Sequence, residues 1–113
     1  METIELARKI VDLVSDQQGS DVALLDVREA CTYTDYVVIC GGESERQIES
    51  IEQEIHNTLK QEGIAPPRTE GEGSGWVLMD LGEVIIHIFA PAERSYYQLD
   101  KLWDKAVTVV RVL

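Results

Sequence analysis

The run Val38–Gln47, VICGGESERQ, takes an apolar segment through two glycines and a serine into a charged stretch, the layout of a phosphate cradle. A Walker loop requires a Lys-Ser/Thr pair after its second glycine, and here Gly42 is followed by Glu43 and Ser44. A Rossmann turn requires a third glycine, near where Gln47 stands. Glu52 and Glu54 have the spacing of the acid pair that follows a Gly-Gly turn in nucleotidyl-transferring enzymes and holds metal ions. That pair needs a strand, on which alternate residues converge. The stretch from Ser44 to Gln61 reads as a helix, on which residues two apart diverge and cannot share a metal. A backbone account suffices instead. Ser44 and Gln47 form an S-x-x-Q capping box, Gly41 and Gly42 allow the sharp turn, and Glu43 and Glu45 suit a helix start while repelling phosphate.

The other reactive side chains are scattered. Cys31 and Cys40 have no histidines at zinc-ligand spacing, and Cys40 closes an apolar segment, so it reads as a buried small hydrophobe rather than a reactive thiol. Asp80 and Glu83 resemble a carboxylate pair but flank a turn, where acids are usually solvated. His87 reads as a satisfied neighbour of Trp76 in preference to a catalytic base, since no nucleophile or metal set accompanies it. The sequence offers no catalytic residue, no cofactor motif and no metal set.

The elements that must position these groups follow from periodicity. Leu6, Ile10, Leu13 and Val14 recur at helical steps between Thr3 and Gln18, with Gly19 placed to end the helix. Asp21–Val27 and Asp35–Cys40 read as strands. The second is almost unbroken in apolar character, which predicts a central position covered on both faces. Ile48, Ile51, Ile55 and Leu59 make one stripe on the Ser44–Gln61 helix. APPRTEGEGSG, from Ala65 to Gly75, reads as loop. WVLMDLGEVIIHIF then reads as a hairpin with its turn at Leu81-Gly82, so that Trp76 faces His87, Leu78 faces Ile85 and Asp80 faces Glu83. Pro91 opens a third helix carrying Tyr96, Tyr97, Leu99, Leu102 and Trp103, and the tail over 106–113 is either an edge strand or a loosely held end. The result is a single domain over 1–113 of α/β (α+β) class, a mixed β-sheet with helices mainly on one face.

A chain of 113 residues with 44% hydrophobic content can bury its own core without staples. No apolar run nears the ~20 residues of a bilayer span, and the N-terminus lacks a signal-peptide layout, so a cytoplasmic location is expected and no membrane partner. The net charge of -11 argues against free nucleic acid, whose binding relies on Lys and Arg displacing counterions. It suits a basic protein partner, or simply solubility.

Strand alternation puts Val77, Met79, Val84, Ile86 and Ile88 on one side of the hairpin, an aliphatic set that must lie under the helices. The other side mixes Trp76, His87, Phe89 and acids. Such a half-polar aromatic face reads as an interaction surface, since Trp and Tyr dominate binding hot spots. The alternative is that the C-terminal helix merely covers Trp76.

TDYVVICGGESERQIESI, EGEGSGWVLMDLGEVIIHIF and RSYYQLDKLW, taken in order, closely resemble the Iojap family, the ribosomal silencing factors of bacteria and organelles. The resemblance runs from the first helix to about Trp103 and leaves the tail outside the pattern. It implies a nucleotidyltransferase-like fold without nucleotidyl transfer. It also implies binding to the large ribosomal subunit through large-subunit protein fourteen, which would block small-subunit joining and repress translation; an assembly role would use the same surface. Carried over by motif, the interface residues are Trp76, Asp80, Leu81 and His87 of the hairpin, with Arg94, Tyr96, Tyr97 and Lys101 of the last helix. Trp76, Tyr96 and Tyr97 would be apolar anchors, and Asp80 would pair with a basic side chain of the partner. The resemblance also implies that free members of the family can dimerise, which would hide the same face.

Overall fold

The first helix, α1 (Thr3–Asp16), buries Ala7, Ile10, Val11 and Val14 along one side. It stops one residue earlier than Gly19 would dictate: Gln18 takes the left-handed conformation at φ 66°, and the Gly19 N–H then bonds the Val14 carbonyl at 2.9 Å. The structure, a computed structural model, describes residues 2–91 and 106–112. After α1 come strands β1 (Ser20–Asp26) and β2 (Tyr36–Gly41), helix α2 (Glu45–Gln61), and strands β3 (Arg68–Glu70), β4 (Trp76–Asp80), β5 (Val84–Phe89) and β6 (Val107–Val112).

The strands form one six-stranded sheet in the order β3-β4-β5-β2-β1-β6. Only β2 and β5 run parallel, and they occupy the middle. All six residues of each are buried, which is why both read as continuous apolar runs. The α2 crossover, with β3 and β4, spans the distance that a parallel pair requires.

Both described helices pack on one face. Ile48, Ile51, Ile55 and Leu59 of α2 join the α1 stripe over Val22, Leu24, Val38, Cys40, Val77, Met79, Val84, Ile86 and Ile88. The reverse face has its own smaller cluster of Ala23, Leu25, Val27, Val37, Ile39 and Phe89. Alternation along each strand therefore sorts the apolar side chains into two layers.

The strand-to-helix turn at Gly41-Gly42 is built as a cap. Ser44 Oγ accepts from the Gln47 N–H at 3.1 Å. The return bond differs from the expected box: Gln47 Oε1 accepts from the Glu43 N–H, at 2.7 Å, one residue before the cap. Gln47 Nε2 also donates to the Gln18 carbonyl at 2.8 Å, tying the start of α2 to the end of α1. Gly42 is required by close approach, since a Cβ there would lie 2.6 Å from Ile48 Cγ1.

Two expectations are corrected, and one left between alternatives is resolved. The Ala65–Gly75 stretch is not all loop, because Arg68, Thr69 and Glu70 pair with Asp80, Met79 and Leu78 as β3. A polar strand this short, between prolines and glycines, leaves no hydrophobic alternation to read. The hairpin register is displaced by two residues: Trp76 pairs with Phe89, Leu78 with His87 and Asp80 with Ile85. The turn sits at Gly82-Glu83, closed by the Leu81 N–H to the Val84 carbonyl at 2.9 Å, with Gly82 at φ 88° as its first residue. A two-residue displacement leaves each side chain on its expected face. The tail, finally, is an edge strand, antiparallel to β1.

Candidate functional site

On the sheet face away from the helices, β4 presents Trp76, Leu78 and Asp80, and β5 presents Ile85, His87 and Phe89. The Trp76 ring stacks on Phe89 with centroids 5.0 Å apart and planes at 29°. Its Nε1–H donates to His87 Nδ1 at 3.0 Å, and the His87 and Phe89 rings lie 6.0 Å apart at 13°. Trp76 is thus held from below by Phe89 and from the side by His87.

The Trp76 bond defines the state of His87. An Nδ1 that accepts has no proton of its own, so the neutral ring carries its hydrogen on Nε2. His87 is 6% exposed, and burial pushes its pKa down to about 4, which keeps it neutral at physiological pH. It can donate from Nε2 without adding charge. The sequence reading of His87 as a satisfied neighbour of Trp76 is therefore what the geometry gives.

These side chains line a cavity of about 410 Å³. Val37, Leu78 and Ile85 supply apolar walls, and Trp76 and His87 supply an aromatic side. Asp80, Glu70 and Arg68 stand at the polar part, with Arg68 Nε 3.4 Å from Glu70. Asp80 has a backbone task as well, since its Oδ1 accepts from the Gly82 N–H at 2.7 Å and shapes the hairpin turn.

Of the eight expected interface residues, the structure brings Trp76, Asp80 and His87 together. Leu81 is separated from them, for it packs against the helix-side core on the opposite face. Arg94, Tyr96, Tyr97 and Lys101 lie outside the described residues, as does the stretch expected to form a third helix. Sequence reasoning missed Arg68 and Glu70, hidden in an unrecognised strand, and Tyr33, 69% exposed at the cavity rim. A lone tyrosine in the polar stretch Thr32–Asp35, outside any hydrophobic period, was the one available signal for Tyr33.

The acid pair on α2 diverges as helical spacing requires. Glu54 faces Lys9 and Asp12 of α1, whereas Glu52 turns toward Glu45, Glu49 and Glu72. Burial, then the neighbouring carboxylates of Glu72, Glu49 and Glu45, push the Glu52 pKa up to about 7. Among the described residues no group of three or more His, Cys, Asp or Glu side chains is arranged to hold a metal ion. Cys40 is buried, its Sγ–H directed at the His87 carbonyl 3.6 Å away, the expected structural use of that thiol. No helix among the described residues is long and apolar enough to cross a membrane.

A mixed sheet with its described helices on one face and a Trp-His-Phe cluster on the other defines a small α/β domain with an aromatic sheet face. Residues 1–112 match the family model described as ribosomal silencing factor during starvation. The chain is 39% identical to the ribosomal silencing factor of Halalkalibacterium halodurans, over 96% of this chain and 94% of that one. A crystal structure of a protein from Chromobacterium violaceum superposes with a TM-score of 0.86 at 30% identity, covering 97% of this chain and 94% of that chain. A longer mouse protein, mitochondrial assembly of ribosomal large subunit protein 1, is 30% identical over 83% of this chain and 43% of its own length. The chain belongs to the ribosomal silencing factor family, as its motifs implied. The family match includes β6, so the tail is part of the pattern and not an addition to it.

Proposed function

We propose that this chain represses translation without catalysing a reaction. It binds the large ribosomal subunit through large-subunit protein fourteen and prevents the small subunit from joining. The observation that carries this reading is the Trp76–His87–Phe89 cluster bordering a 410 Å³ cavity with Asp80 and Glu70 at its edge. A rigid aromatic anchor beside an apolar recess is the usual make-up of a binding hot spot. Carboxylates at its rim, on a domain of net charge -11, suit a basic ribosomal protein, while surrounding RNA repels misplaced approaches. The Nε2–H of neutral His87 offers one directional hydrogen bond to that partner. Residues 94–101 are assigned to the same interface by motif, and Leu81 is left out of it.

The test is a subunit-joining assay: purified large subunits are incubated with the chain, small subunits are added, and the products are separated on a sucrose gradient. Co-sedimentation with the large subunit and a loss of joined ribosomes supports the proposal. A second reading, participation in large-subunit assembly, is favoured by the name of the mouse relative. It predicts that cells lacking the chain accumulate immature large subunits, whereas silencing alone leaves assembly normal.

A further inference from the structure

Glu45, Glu49 and Glu52 follow one another at four- and three-residue steps on α2, so their side chains form one stripe. The connection between β3 and β4 brings Glu72 up to that stripe, and the four acids border a recess of about 240 Å³. Glu72 is carried on a closed turn: Gly71 and Gly73 beside it are left-handed at φ 82° and 80°, and the Ser74 N–H bonds the Gly71 carbonyl at 3.0 Å.

This arrangement costs the fold. Acids one helical turn apart repel, and the helix dipole favours acids only in its first turn, which includes Glu45 but not Glu52. Glu52 is 9% exposed, the one carboxylate so deeply buried among the described residues. The charged groups that act on it are all carboxyls, Glu72 from the connection and Glu49 and Glu45 from its own helix. No cationic side chain lines the recess, and the ion pairs among the described residues leave these four acids out. Two carboxyls in contact must share a proton or admit a cation, and the chain supplies no cation here.

We infer that the Glu45–Glu49–Glu52–Glu72 recess is a docking site for a lysine side chain on an extended basic segment of a partner protein. The ammonium group brings three donors, and the positive charge, to carboxyls that have neither. Phosphate and RNA are repelled by the same acids. A metal ion fits less well, since no three acids among the described residues are arranged to hold one. A smaller recess shares Glu70, Trp76 and Leu78 with the aromatic cavity and reaches Gly71 and Ser74, on either side of Glu72 and Gly73. A basic segment lying against Trp76 can thus run along the β3–β4 connection to Glu52, although the recess makes its site from its own acids, whatever the aromatic face binds. Glu52 holds its proton up to about pH 7 in the free chain and must release it to pair with the ammonium. Docking therefore tightens as pH rises, by about tenfold between pH 6 and 8, and levels off above.

The test is calorimetric titration of the full chain with blocked tetralysine at low salt. The expected result is binding that tightens from pH 6 to 8, with a heat at pH 6.5 that differs between buffers of unlike ionisation enthalpy because a proton is released. Glu52→Gln keeps the shape of the side chain and is expected to weaken binding at least roughly tenfold and to remove the proton release, with the fold checked by circular dichroism. Glu72→Gln, on the exposed connection, should weaken it in the same direction. Glu5→Gln changes the net charge equally at the far end of α1 and should alter affinity less than about twofold. Absence of tetralysine binding overturns the inference. So does an equal loss from Glu5→Gln, which would mean diffuse attraction to an acidic chain, and so does calcium binding at Glu52 where tetralysine does not bind. The peptide contains no ribosomal component, so this result stands apart from that of the subunit-joining assay.

Discussion

The indole Nε1 of Trp76 donates to Nδ1 of His87 across 3.0 Å, joining neighbouring strands diagonally on the face of the hairpin turned away from the described helices. The bond orients the Trp76 ring, fixes the His87 tautomer and leaves the Nε2–H as the donor. It also lets the hairpin hold a large aromatic group ready without ordering it on binding. Both roles can be separated by substitution.

Trp76→Ala removes the stack on Phe89 and the bond to His87. For a half-buried Trp the expected cost is about 2–3 kcal/mol of stability, and large-subunit binding should be lost while the circular dichroism spectrum is unchanged. Trp76→Phe keeps the stack without the donor. Calorimetric titration of large-subunit protein fourteen should show intermediate affinity for it, and wild-type affinity would remove the hydrogen bond from the account.

His87 makes stability depend on acid. Its folded pKa, about 4, lies below the ordinary 6.5, so below pH 6.5 the unfolded chain binds a proton that the folded chain refuses. Stability should fall by about 3 kcal/mol between pH 6.5 and 4 and level off below, as far as this residue is concerned. Denaturant melts of the wild type and His87→Gln across that range check the slope, which the variant should flatten.

Glu52 acts with the opposite sign. Its folded pKa, about 7, lies above the ordinary 4.5, so the folded chain holds the proton longer than the unfolded one. The native state loses stability as pH rises from about 4.5 to 7 and does not regain it above. Glu52→Gln should raise the melting temperature at pH 8 and leave it little changed at pH 4.5. Equal shifts at both pH values would point to packing and not to the carboxylate cluster.

Asp80 has two tasks, and Asn separates them. Asp80→Asn keeps an oxygen for the Gly82 N–H but removes the charge, so stability should change by less than about 0.5 kcal/mol while association with a basic partner weakens. Asp80→Ala also loses the turn bond and should cost about 1 kcal/mol in denaturant melts.

Most of the architecture was legible because hydrophobic period and burial agree. The unbroken run Val37–Cys40 marked a central strand, and the stripe Ile48, Ile51, Ile55, Leu59 marked the helix covering it. The Trp76 face was legible for a related reason: alternation depends only on odd and even positions, so a register wrong by two residues still sorted Trp76, Asp80 and His87 together. Leu81 packs apart from the other hairpin residues because a motif groups residues by proximity in the chain, whereas an extended backbone sends neighbours to opposite faces. The return bond of Gln47 to Glu43 and the pairing of Arg68 with Asp80 depend on backbone geometry that side-chain type does not encode.

The central claim rests on the aromatic face meeting the large subunit, and gradient sedimentation of mixed subunits tests it most directly. The wild-type chain should travel with free large subunits and lower the joined-ribosome peak, and Trp76→Ala should remain at the top with the peak restored. Joined ribosomes unaffected by a saturating amount of the wild-type chain, or an equal effect from Trp76→Ala, would contradict the account.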